Sequence, residues 1–257
     1  MVISAAVAPV YKEAGFTSAM VTQGLMWESV SILDKKENWC RVNMEDGYEG
    51  WINSFYLSEP QINSQSYLTI TNRCTPIRSQ RARDSQIVTL LSFGTNVPIL
   101  EKTSEYSRIQ LINGEEGFIP MQQEISERNR NDIIKLATYL IGVPYIWGGK
   151  SSFGYNCSGF VQMILKTVGI SMPRDTGLQI KADLLEEISI SDTQLGDLIF
   201  FSEDNRINHV AFFIGDGNII HCSGEVKLES ITEGELGFNS TLAKLKHTYR
   251  SISKMVN

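Results

Sequence analysis

The stretch YIWGGKSSFGYNCSGFVQ, residues 145–162, decides how the second half of the chain is interpreted. An apolar pattern with helical spacing starts at Cys157 and ends before Gly169, which predicts a helix over 157–168. The positive end of a helix dipole and its unpaired N–H groups favour a thiolate in the first turn and bind an oxyanion. Cys157 is therefore the candidate nucleophile, and a lowered thiol pKa is expected. The other cysteines, Cys40, Cys74 and Cys222, fit the common pattern of small buried core residues.

A nucleophilic cysteine needs a base, and the chain has three histidines. His209 and His221 flank the turn sequence Gly215-Asp216-Gly217, which predicts a hairpin. A two-residue turn would put the two histidines on opposite faces. A three-residue loop with Gly217 in the left-handed region instead pairs His221 with Ala211 and brings both imidazoles to one face, within hydrogen-bonding reach. Two structural histidines are the alternative interpretation, and His247 is expected at the surface.

An internal repeat organises the first half of the chain. At a constant offset of 67 residues, apolar, aromatic and glycine positions recur without a gap. Each copy consists of short alternating runs separated by turn residues, which predicts a small closed β-barrel. The matched pairs include Pro9/Pro76, Val10/Ile77, Val30/Val97, Trp39/Tyr106, Val42/Ile109, Gly47/Gly114, Gly50/Gly117, Trp51/Phe118 and Ile52/Ile119.

The pattern changes after Gln123 from short strands to helices followed by strands. A helix is predicted over 129–141, with Asn129 or Asn131 as its N-cap and Gly142 at its end. Strands are predicted at 198–201, 209–214 and 218–222, so this half is α+β. The expected domains are therefore 1–58, 66–124 and 125–257, with a polar linker over 58–66.

Composition and charge exclude several classes of protein. The net charge is −6, so the chain lacks the excess of Lys and Arg that tracks a nucleic acid backbone. No segment reaches the roughly 20 apolar residues of a membrane span, and residues 1–10 do not resemble a signal peptide. The four scattered cysteines form neither a disulfide framework nor a zinc motif. The expected compartment is the cytoplasm, no metal or cofactor is expected, and the oligomeric state stays open with a monomer favoured.

Several motifs occur together in the order of one known family. The chain resembles the NlpC/p60 cysteine peptidases over residues 130–250, and its repeats resemble bacterial SH3-like (SH3b) domains, a common partner of that family. The resemblance implies two SH3-like barrels followed by an α+β, papain-like catalytic domain. The matching residues are Tyr145-Ile-Trp-Gly-Gly, Asn156-Cys-Ser-Gly-Phe-Val-Gln, Pro173-Arg-Asp-Thr176, Gln179, Gly196-Asp-Leu, His209-Val-Ala and Ile220-His221.

The resemblance also implies residue roles. It makes Cys157 the nucleophile, His209 the general base and His221 the residue that orients the imidazole, with Tyr145 as an oxyanion donor. The implied reaction is hydrolysis of the γ-D-glutamyl-L-diamino acid bond in murein (peptidoglycan) peptides. Acyl transfer to an amine is an open alternative to hydrolysis. A catalytically silent binding protein is the remaining alternative, against which the intact Cys157, His209 and His221 argue.

Substrate-binding residues follow from the resemblance less directly. In similar members, the residue before the nucleophile, the one after it and a later hydroxyl contact the free amine of an N-terminal L-alanine; here these are Asn156, Ser158 and Thr176. The family usually has Asp and Ser where this chain has Asn156 and Thr176, so specificity is less secure than chemistry. Glu13 and Tyr48 are the matching contacts from the first repeat.

Two roles are open for the repeats. If the first repeat narrows the cleft, the enzyme trims free L-Ala-γ-D-Glu-diamino acid peptides in cell-wall recycling, in the cytoplasm. If the repeats anchor the protein to peptidoglycan, it is an exported wall hydrolase, periplasmic or secreted. The acidic charge and short linkers favour the first role.

Overall fold

The chain divides into two units, Met1–Glu124 and Ile125–Asn257. The structure is a computed structural model that describes residues 1–61, 64, 66–123, 125 and 128–256. In these ranges no helix is both long and apolar enough to cross a membrane. Part of the predicted 58–66 linker therefore lies outside the described residues.

The first repeat forms a five-stranded antiparallel sheet of order β3-β2-β6-β5-β4, with β1 paired to β7 beside it. Alternate side chains of β2 and β5 face a common apolar core, as the period-two pattern predicts. Its strands are β1 (Val2–Ile3), β2 (Val7–Tyr11), β3 (Met20–Leu25), β4 (Val30–Lys36), β5 (Trp39–Met44), β6 (Glu49–Asn53) and β7 (Leu57–Ser58), with a 3₁₀ turn at Ser54–Tyr56.

The second repeat forms a sheet of order β10-β9-β13-β12-β11-β8, which reproduces the first order and adds β8. Gly50 and Gly117 occupy equivalent close approaches: an added Cβ would lie 2.6 Å from Val10 Cγ1 and 2.5 Å from Ile77 Cγ2, respectively. The 67-residue offset therefore holds in the strand order and in the packing. The strands are β8 (Tyr67–Thr69), β9 (Cys74–Arg78), β10 (Ile87–Ser92), β11 (Asn96–Lys102), β12 (Tyr106–Gln110) and β13 (Glu116–Pro120).

One cysteine prediction in this unit is wrong. Cys40 is buried in the first core, but Cys74 is exposed. Cys74 opens β9, whose outward positions alternate with Thr75 and Ile77 in the core, so the strand period puts its side chain outside.

The described part of the second unit combines four helices, a two-stranded β14-β15 sheet and a six-stranded antiparallel sheet of order β16-β21-β17-β18-β19-β20. The helix that begins at Cys157 packs against β18 and β19. The elements are α1 (Arg130–Tyr139), β14 (Lys150–Ser151), β15 (Gly154–Tyr155), α2 (Cys157–Thr167), α3 (Thr176–Gln179), β16 (Glu186–Ile188), a 3₁₀ turn (Ile190–Asp192), β17 (Leu198–Glu203), β18 (Arg206–Gly215), β19 (Asn218–Ser223), β20 (Glu225–Ser230), α4 (Ser240–Ala243) and β21 (Lys246–Ser251).

Local signals explain both long helices. The side chain of Asn129, one of the two proposed caps, accepts a hydrogen bond from the Asp132 N–H at 2.8 Å. Gly142 and Gly169 follow the two helices with φ of 85° and 78°, the left-handed conformation that glycine adopts without a steric penalty. The predicted helices over 129–141 and 157–168 are confirmed to within two residues at each end.

The β18–β19 hairpin reaches the predicted register by a different route. Its turn has two residues, Asp216 and Gly217, both with positive φ (51° and 73°), rather than the three expected. Gly215, whose φ is 102°, pairs with Asn218, whereas Phe213 pairs with Ile219 and Phe212 with Ile220. The register therefore shifts between Phe213 and Gly215. This β-bulge supplies the extra residue, so His221 still comes opposite Ala211 and on the face of His209.

Candidate active site

Cys157 is the first residue of α2, and its helix start is built from side chains next to it. The Asn156 side-chain oxygen caps the helix by accepting from the Gly159 N–H at 2.8 Å. Gly159 has no room for a side chain, because an added Cβ would clash with the Gly149 carbonyl. Asn156 before the cysteine and Gly159 two residues after it therefore allow the backbone to start the helix at Cys157.

The thiol is buried, and its pKa differs from the expectation. Burial raises the pKa of Cys157, while the backbone N–H groups of Ser158 and Val210, the positive charge of Arg174 and its own N–H lower it without reversing the net direction. The predicted lowering is therefore wrong, because desolvation outweighs the helix N-terminus. The Val210 contact also places the Cys157 thiol beside the residue that follows His209.

A continuous hydrogen-bonded chain extends from His209 to a carboxylate. His209 Nε2 lies 2.7 Å from His221 Nδ1, and His221 Nε2 lies 2.9 Å from Glu229 Oε2. The predicted contact between the two imidazoles is thus present, and His221 is fully buried. His209 joins this chain through Nε2, which leaves Nδ1 as its second ring nitrogen.

Glu229, the carboxylate at the end of this hydrogen-bonded chain, was not predicted from the sequence. Asn239 Nδ2 donates to its Oε2 at 2.6 Å, and Lys227 Nζ lies 2.8 Å from its Oε1. Burial alone would raise the pKa of Glu229, but these two partners and His221 hold it below the usual value. His221 pairs with Lys227 across β19 and β20, so Glu229 is its diagonal neighbour on the same face. The sequence offered one signal for it. A tight turn at Gly224 is followed by Lys227 and Glu229, which are two residues apart and so lie on the same face of a strand.

The ionised Glu229 carboxylate determines which ring nitrogens of His221 and His209 carry a hydrogen. A carboxylate only accepts hydrogen bonds, so His221 Nε2 carries a hydrogen and His221 Nδ1 accepts. His209 Nε2 must then donate, which leaves His209 Nδ1 as an unprotonated base. Burial, followed by the neighbouring His221, lowers the pKa of His209 to about 3. Burial also lowers the pKa of His221. Both imidazoles are therefore neutral at pH 7, and the resting site pairs a thiol with a neutral base.

Tyr145 lies within electrostatic reach of Cys157. Its backbone N–H donates to the Gly224 carbonyl at 2.7 Å, which fixes it beside the β19–β20 turn. Burial, then the nearby Cys157 and Cys222, raises the pKa of Tyr145, so its hydroxyl stays protonated and able to donate. Cys222 itself faces Tyr155, whose carbonyl accepts from its thiol at 3.2 Å, and burial raises its pKa to about 12.

A buried arginine joins two of the predicted substrate contacts. Arg174 Nη1 donates at 3.0 Å both to Asn156 Oδ1 and to Ser158 Oγ, and Arg174 Nη2 donates to the Gly149 carbonyl at 3.1 Å. Asn156 and Ser158 therefore brace the helix start through Arg174, a link that the sequence analysis did not anticipate. Thr176, the third predicted contact of this group, is the first residue of α3 and half-buried.

The other predicted contacts belong to the first unit. Glu13 is exposed between β2 and β3, where its backbone N–H donates to Ser18 Oγ at 3.0 Å. Tyr48 lies in the turn before β6 and is half-buried against the first core.

His247 is not the surface residue that was expected. Its ring lies 5.0 Å from that of Phe201 on the neighbouring strand, and its Nε2 contacts the Leu242 carbonyl at 2.9 Å. The apolar strand β17 covers it, so it is half-buried. Within the described residues no group of three or more His, Cys, Asp or Glu is arranged to hold a metal ion.

Comparison with known proteins agrees with this geometry. Residues 142–243 match the NlpC/P60 family, and residues 10–55 match the bacterial dipeptidyl-peptidase Sh3 domain. A gamma-D-glutamyl-L-lysine dipeptidyl-peptidase of Bacillus cereus is 32% identical over 223 residues, covering 78% of this chain and 66% of that protein. A Bacillus subtilis protein of the same name is 29% identical over 247 residues, covering 89% of this chain and 81% of that protein.

A solved structure shows the same fold. The crystal structure of an NlpC/P60 family protein from Bacillus cereus superimposes with a TM-score of 0.82 at 24% identity, covering 96% of this chain and 97% of the other. The cysteine at a helix start, the paired histidines and these matches lead to one conclusion. The chain belongs to the NlpC/P60 family of cysteine peptidases and carries a bacterial SH3 domain in its N-terminal half.

Proposed function

We propose that the protein hydrolyses the γ-D-glutamyl-L-diamino acid bond of free murein peptides. The observation that carries this proposal is the chain from His209 through His221 to Glu229, together with Cys157 at the start of α2 beside Val210. The two similar dipeptidyl-peptidases, whose name specifies a γ-D-glutamyl-L-lysine bond, support the substrate class.

The proposed reaction begins with proton transfer from Cys157 to Nδ1 of His209. The two groups titrate as a pair, because the thiolate and the imidazolium stabilise each other once the proton has moved. The ionised Glu229 at the end of the hydrogen-bonded chain favours the imidazolium, and His221 keeps the His209 ring oriented by accepting from its Nε2–H. The thiol is thus activated as the substrate binds and does not need a low pKa at rest.

The thiolate then attacks the γ-carbonyl carbon of the D-glutamyl residue. The carbonyl oxygen becomes an oxyanion, for which the Cys157 backbone N–H and the Tyr145 hydroxyl are the proposed donors. Collapse breaks the C–N bond, and His209 gives its proton to the leaving diamino acid. Water deprotonated by His209 then hydrolyses the thioester and restores the thiol.

The proposed specificity rests on the free N-terminus of the substrate. A dipeptidyl-peptidase removes two residues from that end, here L-Ala-γ-D-Glu. We assign Glu13 as the charged partner of the ammonium group, with Tyr48, Asn156, Ser158 and Thr176 as hydrogen-bonding contacts. In this proposal the second repeat is a second SH3-like barrel, the second unit is papain-like, and the protein acts on soluble peptides in the cytoplasm.

The test compares L-Ala-γ-D-Glu-L-Lys and L-Ala-γ-D-Glu-diaminopimelate with their N-acetyl forms. Mass spectrometry should detect L-Ala-γ-D-Glu and the free diamino acid from the unblocked peptides, with Cys157→Ala as the inactive control. Loss of the charge partner in Glu13→Gln should weaken binding of unblocked peptides about ten- to a hundredfold and leave N-acetyl peptides unaffected.

Two outcomes would overturn parts of this proposal. If no peptide is cleaved by freshly reduced protein, the assigned reaction is wrong. If both forms are cleaved equally and the protein sediments with purified peptidoglycan, the amine is not recognised and the anchored wall hydrolase becomes the better assignment. Fractionation of cells producing the full-length protein then tests the location.

A further inference from the structure

The second repeat carries a basic groove that the proposed peptidase reaction does not use. The groove encloses about 840 Å³, within the range of small-molecule sites. It lies between the β9–β10 loop and the outer face of β12 and β13. Its lining residues are Pro76, Arg78, Gln80, Arg81, Ala82, Arg83, Glu105, Tyr106, Phe118, Ile119 and Pro120.

Arginines dominate the charge of this groove. Three arginines and one glutamate line it, so its walls carry a net charge of two positive in a protein whose net charge is −6. The loop that carries Arg81 and Arg83 is braced by Arg78, which donates to the Ser85 carbonyl at 2.6 Å. Such a local concentration of guanidinium groups gives the groove a positive potential that attracts anions.

Arg81 is already oriented on an aromatic surface. Its guanidinium carbon lies 4.4 Å from the Tyr106 ring centroid and 5.6 Å from that of Phe118. Its ion pair with Glu101 is long, at 3.7 Å, and both side chains are about half exposed, so the pair contributes little. The ring contacts position the guanidinium at the aromatic surface, where its N–H groups are available to a ligand.

The first repeat shows that this chemistry is not a requirement of the fold. At the 67-residue offset, Arg78, Arg81 and Arg83 correspond to Tyr11, Ala14 and Phe16. There the aromatic rings pack on one another: the Phe16 and Trp39 centroids are 4.7 Å apart, and those of Tyr11 and Trp39 are 5.6 Å apart. The same strands therefore support an aromatic cluster in one copy and a cationic groove in the other.

We propose that the groove of the second repeat binds a phosphate group carried by a small organic molecule or by a polymer segment. Two excess positive charges match a phosphate monoester near its second ionisation better than they match a single carboxylate. Paired N–H groups of arginine suit phosphate oxygens, and the parts of the half-buried Tyr106 and Phe118 rings that Arg81 leaves uncovered would contact the organic part. The groove is much larger than a bare phosphate ion, which is why a substituted phosphate is expected.

Phenyl phosphate is the probe for this site, with inorganic phosphate and benzoate as comparisons. Titration of the full chain, followed by NMR chemical shifts, should give saturable binding of phenyl phosphate centred on residues 78–83, 106 and 118. The double variant Arg81→Gln/Arg83→Gln should weaken binding at least about tenfold. Raising the ionic strength from about 0.05 to 0.5 M should weaken it as well.

Matched variants separate this site from general charge effects. Arg41→Gln removes the same charge from the first repeat, where Arg41 pairs with Glu49 at the surface, and should bind the probe like the wild type. Glu105→Gln removes the negative charge of the groove and should strengthen binding, a gain that misfolding cannot produce. All variants should retain peptide hydrolysis, so this proposal can fail while the proposed function stands, and the reverse.

Three results would overturn the proposal. Unchanged affinity in the double variant would mean that the arginines do not form the site. Equal binding of benzoate and phenyl phosphate would show that the groove does not select phosphate over a carboxylate. If phenyl phosphate showed no saturable binding at low salt, the groove would not be a phosphate site.

Discussion

The two sides of the candidate active site are built by different means. The helix side consists of Asn156, Cys157, Ser158 and Arg174, and three of these four residues are consecutive in sequence. The sheet side consists of His209, His221 and Glu229, which three strands bring together across 20 residues. The helix side supplies N–H groups and a positive charge, whereas the sheet side supplies a base whose tautomer is determined by a distant carboxylate.

The comparison shows how the two sides depend on each other. Burial raises the thiol pKa on the helix side and lowers the imidazole pKa on the sheet side. Neither Cys157 nor His209 is therefore ionised before substrate binds, and both must change charge in the same step. A substitution that alters the charge on one side should affect proton transfer from the other, which the following predictions test.

The largest effect is expected when either partner of the proton transfer is removed. Cys157→Ala and His209→Asn should each lower kcat/KM by about 10³-fold or more, because each removes a group that takes part in bond making. His221→Gln should retain measurable activity, since glutamine can still make one orienting hydrogen bond. Rates on L-Ala-γ-D-Glu-L-Lys measure this order. If His221→Gln were as inactive as His209→Asn, the proposed division of roles would be wrong.

The next largest effect on kcat/KM is expected at Glu229, the last residue of the hydrogen-bonded chain on the sheet side. Glu229→Gln keeps the shape but removes the negative charge, so kcat/KM should fall about tenfold or more and the acid limb of its pH profile should move to lower pH. Glu229→Asp should recover part of the activity. Glu225→Gln is the matched control, because it makes the same chemical change at the exposed start of β20. If the pH profile of kcat/KM in Glu229→Gln matched that of the wild type, Glu229 would not act as a positioning residue.

Stability should depend on pH through the buried base. The folded pKa of His209 lies near 3, below the ordinary 6.5, so the unfolded chain binds more protons between these values. The stabilising contribution is complete above pH 6.5 and is lost progressively as the pH falls toward 3, by about 1.4 kcal/mol per pH unit. Hydrogen exchange of the β18 and β19 amides between pH 7 and 5 measures it, and His209→Asn should reduce the slope. An unchanged slope in that variant would assign the dependence to other groups.

The smallest effect concerns the cap on the helix side. Asn156→Asp would form an ion pair with the buried Arg174 and so offset the positive charge that lowers the Cys157 pKa. We therefore expect the thiol to titrate at a higher pH and kcat/KM at neutral pH to fall severalfold. Thiol alkylation rates against pH, in a Cys74→Ser background, measure the shift without interference from the exposed cysteine. A lower KM for free-amine peptides with an unchanged thiol pKa would instead support direct contact between residue 156 and the substrate ammonium.

Local sequence determined the helix side and the repeated strands. The Asn156 cap, the helical spacing after Cys157 and the closing Gly169 act over a few residues, so their outcome does not depend on the rest of the chain. The 67-residue offset likewise predicted equivalent strand orders, because alternation and turn glycines are local signals. The sequence offered the same-face arrangement of His209 and His221 as one of two registers, and the structure reaches it through a two-residue turn and a bulge before Gly215 that the sequence did not indicate.

Only the tertiary structure decided the charges of the site. Glu229 reaches His221 through strand pairing, and Arg174 reaches the helix start from a separate loop, so neither contact follows from local patterns. The raised pKa of Cys157 has the same origin: the sequence shows a helix N-terminus, but the removal of water depends on β18 and its neighbours packing over it. Desolvation is a property of the whole packed unit, which is why it reversed the one electrostatic expectation that local sequence supported.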